Sequence, residues 1–207
     1  MIEEHTIRDQ LAECASIVDQ LIEVVNTAKK AFIHQRGQLL IQLNNQQDPL
    51  CRKIDSTIFQ ISERMSGKHG GKREPYIRLH SILTHLRIIA ETTCHLEETL
   101  QKQIKDSVLF SDKAISQVRH IFDQQTEILS CLADVIRNGG KDNRQRALGD
   151  CNNLAQSCLL FDTEHETRLV EGLCFPQAAP LFLAILDQIQ TIVHHEREVA
   201  HLLGNNF

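Results

Sequence analysis

The chain has 207 residues with 22 basic and 27 acidic side chains, a net charge of −5, so it lacks the basic excess that holds nucleic acid. Apolar residues at 42% and charged residues at 24% are globular proportions and exclude a disordered chain. With no Trp, one Tyr, nine Gly and four Pro, it has too few aromatics and turn residues for an all-β fold, and a helical protein is expected.

The seven Cys have no C-x-x-C spacing, and several fall on apolar helical stripes where a thiol packs as a small hydrophobe. They read as free thiols of a reducing compartment rather than a disulfide framework. The N-terminus, MIEEHTIRDQ, has neither the basic start nor the apolar core of a signal peptide. The longest uncharged stretch, Gly172 to Leu186, is too short to span a bilayer and contains Pro176 and Pro180. A soluble protein is expected.

The first helical pattern places Ile7, Leu11, Cys14, Val18, Leu21, Val25, Ala28, Phe32 and Leu39 on one face, in steps of three and four with one longer step over Gln35. The pattern predicts a single helix to about Leu43, ending before Asn44-Asn45 and Asp48-Pro49. Asp48 as N-cap and Pro49 at the first helical position then open the second helix, with Leu50, Ile54, Ile58, Ile61 and Met65 inward. The run from Ser66 to Gly71 ends it in a loop. The third helix begins near Glu74-Pro75 and carries Leu79, Leu83, Leu86, Ile89, Ala90, Thr93, Leu96, Leu100 and Ile104.

Ser111-Asp112 reads as the next helix start, a hydroxyl N-cap followed by an acid at the positive end of the helix dipole. Ile115, Val118, Phe122, Leu129, Leu132 and Ile136 form its stripe, and Asn138-Gly139-Gly140 stops it. The fifth helix is predicted from about Asp142 to Glu171, with Ala147, Cys151, Leu154, Cys158, Phe161, His165 and Leu169 inward. After Pro176 and Pro180 the sixth presents Ile185, Ile189, Ile192, Val193, Val199, Ala200 and Leu203. The third and sixth helices superpose in pattern, with Ile82-Leu83 on Ile185-Leu186, Leu86 on Ile189, Ile89 on Ile192 and Leu100 on Leu203. The expected fold is all-α: six helices as two tandem antiparallel three-helix bundles, residues 1–108 and 109–207.

Eleven His prompt a search for metal spacing. His194, His195, Glu198 and His201 crowd one end of the sixth helix. Glu198-x-x-His201 matches the E-x-x-H spacing of di-iron bundles, with Asp162-x-x-His165 a weaker relative. The further inward carboxylates such a centre needs are missing, and paired side chains on a solvated helix face account for these residues. Glu196 differs, because it falls on the apolar stripe where an unpaired charge is costly. His165, inward on the fifth helix, is its expected partner, so the two are predicted to face each other as a buried polar pair. The Gly67–Gly71 run lacks the strand and spacing of a phosphate loop, and no Ser or Cys has a base that spacing supports, so no enzyme is expected. Lys102, Lys105, Lys113 and Arg119, and separately Lys141, Arg144 and Arg146, form modest basic groups near the bundle ends.

The order of elements, with the segments Leu109-Phe110-Ser111-Asp112, His165-Glu166-Thr167-Arg168-Leu169-Val170-Glu171-Gly172 and Ile185-Leu186-Asp187-Gln188-Ile189-Gln190-Thr191-Ile192-Val193-His194-His195, resembles the PhoU family. Within that family it is similar to the PhoU-like cytoplasmic domain attached to bacterial sodium/phosphate cotransporters. The resemblance covers nearly the whole chain, best over 109–203. It implies a pair of three-helix bundles and a regulator of phosphate uptake at the inner face of the membrane. The implied partners are a phosphate transporter or its sensor kinase, and homodimerisation stays open. Some members of the family bind iron or zinc through E/D-x-x-x-D motifs, in which carboxylates four apart share a cation. Here those motif positions fall on Gln190 and His194, followed by His195, and on Arg87 and Glu91. An Arg cannot ligate a metal and a Gln is a weak neutral ligand, so a PhoU-type multi-iron cluster is not expected. The alternative reading is a metal-binding bundle for storage or sensing, holding iron or zinc with the His and Glu residues of the sixth helix.

Overall fold

The computed structural model describes residues 2–66 and 73–204, which form six helices with no strand among them. These are α1 (Ile2–His34), α2 (Gly37–Ser66), α3 (Glu74–Lys105), α4 (Asp112–Asn138), α5 (Lys141–Val170) and α6 (Ala179–Leu202). The loop expected over Gly67–Gly71 lies outside the described residues.

Local chemistry sets most of the boundaries. Ser111 takes extended backbone angles (φ −66°, ψ 155°), and its Oγ accepts from the Ala114 N–H at 3.3 Å, satisfying one orphan donor of the first turn of α4. Gly139, at φ 69°, closes α4 by donating its N–H to the Val135 carbonyl at 2.8 Å, a backbone conformation that glycine adopts without strain. Pro75 and Pro180 sit in the first turns of α3 and α6, where a missing N–H removes no helical bond.

The boundary between α1 and α2 corrects the sequence expectation. The first helix ends at His34 rather than near Leu43, and α2 runs unbroken from Gly37 through Pro49. The turn sits at Gln35, which adopts φ 48°, at the one place where the apolar stripe takes a longer step. Pro49 is tolerated inside α2 because it and Asn45, whose carbonyl it leaves without an intrahelical donor, both face solvent. Leu39, Leu40 and Leu43 therefore belong to the start of α2. The reversal is read directly from α1–α2 contacts: Lys53 Nζ donates to Ser16 Oγ at 2.9 Å and pairs with Glu13 at 3.2 Å.

α1, α2 and α3 pack on one another, and so do α4, α5 and α6, giving the two three-helix sets. The sets join side by side, α1 against α4 and α3 against α6, so that one apolar core runs through both. The register proposed between the third and sixth helices places like on like: Ile82, Leu83, Leu86 and Ile89 are buried on α3, as are Ile185, Leu186, Ile189 and Ile192 on α6. Ion pairs lace the rim of the α1–α4 contact, Lys29 to Asp123 and Arg137 to Asp19. Near the end of α1, Gln103 Nε2 donates to the Phe32 carbonyl at 3.3 Å, one of the last-turn acceptors with no helical donor, while Phe32 meets Phe110 edge-on at 5.1 Å. Among the described residues no helix is long and apolar enough to cross a membrane.

Candidate functional site

The polar groups cluster along the seam where α3 of the first set lies on α6 of the second. His85 and His195 meet across it with their Nδ1 atoms 2.9 Å apart and ring centroids 5.1 Å apart. One ring must donate and the other accept, so the contact requires a neutral acceptor nitrogen. Burial lowers the basicity of both rings, each is lowered further by nearby imidazoles, and the Glu198 carboxylate pulls the other way. Farther along the seam Gln188 Nε2 donates to Thr99 Oγ1 at 3.1 Å.

Of the residues singled out for metal binding, His194, His195 and Glu198 lie near one another on α6, whereas Glu91 is held apart on α3. Among the described residues no three His, Cys, Asp or Glu side chains are arranged to hold an ion. Glu91 is paired with Arg87 Nη1 at 3.0 Å, and the same guanidinium donates from Nε to Asp55 on α2 at 2.7 Å and from Nη1 toward Cys51 Sγ at 3.5 Å. A fixed cation thus sits between carboxylates that would otherwise compete for a metal. Burial pushes the neighbouring thiols up, Cys94 to about 11, so the free thiols are protonated at neutral pH. On α6, His194 lies 3.3 Å from Arg197 Nη2 and 5.0 Å ring to ring from His195, and His201 is exposed at the helix end.

The expected pairing of His165 with Glu196 is corrected as well. Both are buried, His165 1% and Glu196 0% exposed, but they occupy different levels of the second set. His165 stacks on Phe182 near the start of α6 at 4.4 Å, with Cys174 Sγ 3.8 Å from its Nδ1. Glu196 lies fourteen residues beyond Phe182 on the same continuous helix, about 21 Å at 1.5 Å per residue. The flaw in the expectation is that two inward positions on packed helices share a face but not a level. The partner of Glu196 is Gln125 of α4, which donates Nε2 to Oε1. Burial holds the Glu196 carboxyl well above the usual range, against the opposing effect of that hydrogen bond, and burial lowers the basicity of His165. Burial thus disfavours the charged form of each.

Two partners thus escaped the sequence reading. Gln125 had a legible signal, because the α4 stripe skips from Phe122 to Leu129 and leaves a polar residue at the missing inward step. His85 had none: it stands on the flank of α3, and only the antiparallel seam brings it to His195.

Compared by sequence, the chain matches no family model and no curated protein. Compared by structure, it is similar to the phosphate transport system regulatory protein PhoU from Streptococcus pneumoniae, with a TM-score of 0.83 and 9% identity over 97% of this chain and 94% of the other. It is also similar to PhoU from Pseudomonas aeruginosa, with a TM-score of 0.72 and 16% identity over 98% of this chain and 95% of the other. The chain has a PhoU-like fold.

Proposed function

We propose that this protein is a non-catalytic regulator of phosphate uptake, acting at the inner face of the membrane through helical contacts with a phosphate transporter or its sensor kinase. The observation that carries the reading is the end-to-end likeness of the six-helix fold to a phosphate transport system regulatory protein. Supporting it is a contact surface at the end of the molecule where the α3–α4 and α5–α6 connections meet. There Val108 and Gln177 line one cleft of about 620 Å³, and Leu109, Leu173 and Phe175 stand exposed beside those positions in the chain. Apolar side chains held out on short connections suit docking to a partner better than they suit water.

The test is cross-linked co-purification from cells grown in high and in low phosphate. The expected result is recovery of a phosphate transporter component or its sensor kinase, lost when Leu173 and Phe175 are both changed to Ser in a variant that keeps its helical spectrum. Recovery of neither under both conditions, together with unaltered phosphate uptake on deletion, overturns the proposal.

A further inference from the structure

At the opposite side of the fold from these connections, where α1 begins, α4 turns into α5 and α6 ends, a cleft of about 910 Å³ opens. Four cations line it: Arg8 of α1, Arg137 of the last turn of α4, and Lys141 and Arg144 of the first turn of α5. Among the described residues that line it there is no acidic side chain, in a chain whose net charge is −5. Arg137 is engaged by Asp19, whereas Arg8, Lys141 and Arg144 have no ion-pair partner among the described residues. Cations gathered in one concavity repel one another unless an anion enters, and the walls of a cleft strengthen that attraction.

The backbone is arranged to the same end. Gly139 and Gly140 turn the chain with φ 69° and 105°, and Gly140 precedes α5 as its N-cap with no side chain capping the first amides, so the positive end of the helix adds to the cationic lining. Arg144 lies against Gly204 so closely that a Cβ there would overlap its guanidinium, so the glycine leaves the room in which Arg144 reaches the cleft. The remaining wall is apolar, built from Ile7, Leu11, Val135, Ile136 and Leu203. The volume falls in the range of small-molecule clefts, far above what a bare phosphate ion needs.

We propose that this cleft binds a phosphate ester, its anionic oxygens on Arg8, Lys141 and Arg144 and its apolar body against Ile7, Leu11 and Leu203. Arginine and lysine at a helix start supply the charge-assisted hydrogen bonds phosphate takes, and the apolar wall selects an ester over the inorganic ion. The ester is either a soluble nucleotide or the headgroup of an anionic phospholipid. The site is separate from the exposed contact surface and does not depend on the regulatory reading.

The full chain is titrated calorimetrically with inorganic phosphate and with adenosine diphosphate, and by sedimentation with phosphatidylglycerol and phosphatidylcholine vesicles. The expected result is saturable binding of adenosine diphosphate or of phosphatidylglycerol vesicles, weakened with rising salt, with inorganic phosphate at least tenfold weaker. Binding of the nucleotide alone assigns a soluble ester, and binding of the anionic vesicles alone assigns the headgroup. The double variant Lys141→Ala/Arg144→Ala is expected to bind at least tenfold more weakly, and Gly204→Ala to weaken binding by crowding Arg144. Arg146→Ala, on the same helix but outside the cleft, is expected to bind as the parent does. Absence of binding to every probe, inorganic phosphate binding as tightly as the nucleotide, or equal binding by the parent and the double variant overturns the proposal.

Discussion

Gln125 on α4 donates its side-chain amide to Glu196 on α6, and the two remaining polar atoms of this buried pair, Gln125 Oε1 and Glu196 Oε2, have no other partner. A proton on Glu196 Oε2 supplies the missing donor beside a free acceptor, so a carboxylic acid and an amide satisfy each other where a carboxylate would not. Burial, which holds this carboxyl well above the usual range, acts in the same direction. The folded state then binds a proton that the unfolded state gives up above about pH 4.5, so the contribution of this group to stability declines as pH rises from there toward the folded pKa. Glu196→Gln keeps the shape and the hydrogen bond and removes the ionisation. In urea unfolding at pH 5 and pH 8, the variant is expected to match or exceed the parent at pH 8 and to lose less stability between the two. Glu196→Ala, which strands the Gln125 amide in the core, is expected to cost about 1–3 kcal/mol at both pH values.

Because His165 stacks on Phe182 while Glu196 lies about 21 Å farther along α6, the two buried groups act independently. A double-mutant cycle of His165→Leu with Glu196→Gln is expected to be additive to within about 0.5 kcal/mol, as for sites with no shared partner. A coupling energy well above that, measured by chemical denaturation, would contradict the level assignment.

Across the α3–α6 seam the sign is opposite. His85 and His195 are both lowered by burial, and the charged or titratable groups beside them are His194 and Glu198 of α6. The folded state resists protons that the unfolded chain accepts below about pH 6.5, so stability is full above that value and declines as pH falls toward the folded pKa. A His195→Asn variant keeps a polar group near the Nδ1 position and cannot titrate. The parent is expected to lose more of its melting temperature between pH 7.5 and 5.5 than this variant does. Equal losses measured by circular dichroism would remove the seam pair from the acid response.

Much of this architecture was legible from spacing alone. Several boundaries carried a plain chemical signal, such as Ser111 as a cap and Gly139 as a stop, whereas Pro180, expected in the loop before the sixth helix, sits inside its first turn. The α1–α2 turn carried two competing signals, and the stronger one was misleading. Asp48-Pro49 has the chemistry of a helix start, but an exposed proline in a helix with good packing on its other face is also tolerated, and tertiary contacts decide between them. The polar interior was legible only by residue. Periodicity placed Glu196 and His165 inside, yet it carries no information on axial level between helices, and so it could not assign Gln125 and His85 as partners.

The core of the second set gives the next expectation. Leu132 of α4 and Leu154 of α5 are both fully buried in the continuous apolar core. Truncating either to Ala removes the same methyl groups from positions enclosed by neighbouring helices. Each change is expected to cost about 2–4 kcal/mol in urea unfolding, the sum of lost transfer energy and residual cavity. A cost below about 0.5 kcal/mol at both positions, the level of an exposed substitution, would be inconsistent with this packing.

The corrected α1–α2 boundary is itself testable, because the two readings of Pro49 and Gln35 predict opposite signs. If a helix began at Pro49, replacing it with Ala would remove a favourable first-turn residue and gain nothing. In the observed fold Pro49 lies inside α2 on its solvent face, and Ala restores an N–H to the Asn45 carbonyl. Pro49→Ala is therefore expected to stabilise the protein, by up to about 3 kcal/mol, the difference between these residues in a helix interior. Gln35 holds a left-handed backbone, φ 48°, that costs a residue with a Cβ about 1 kcal/mol and glycine almost nothing. Gln35→Gly is expected to stabilise by a few tenths to about 1 kcal/mol in the observed fold, and to destabilise by a similar amount if residue 35 were mid-helix. Thermal unfolding of the two single variants and their combination decides the matter: gains that add place the turn at Gln35, and losses at both positions place it at Pro49.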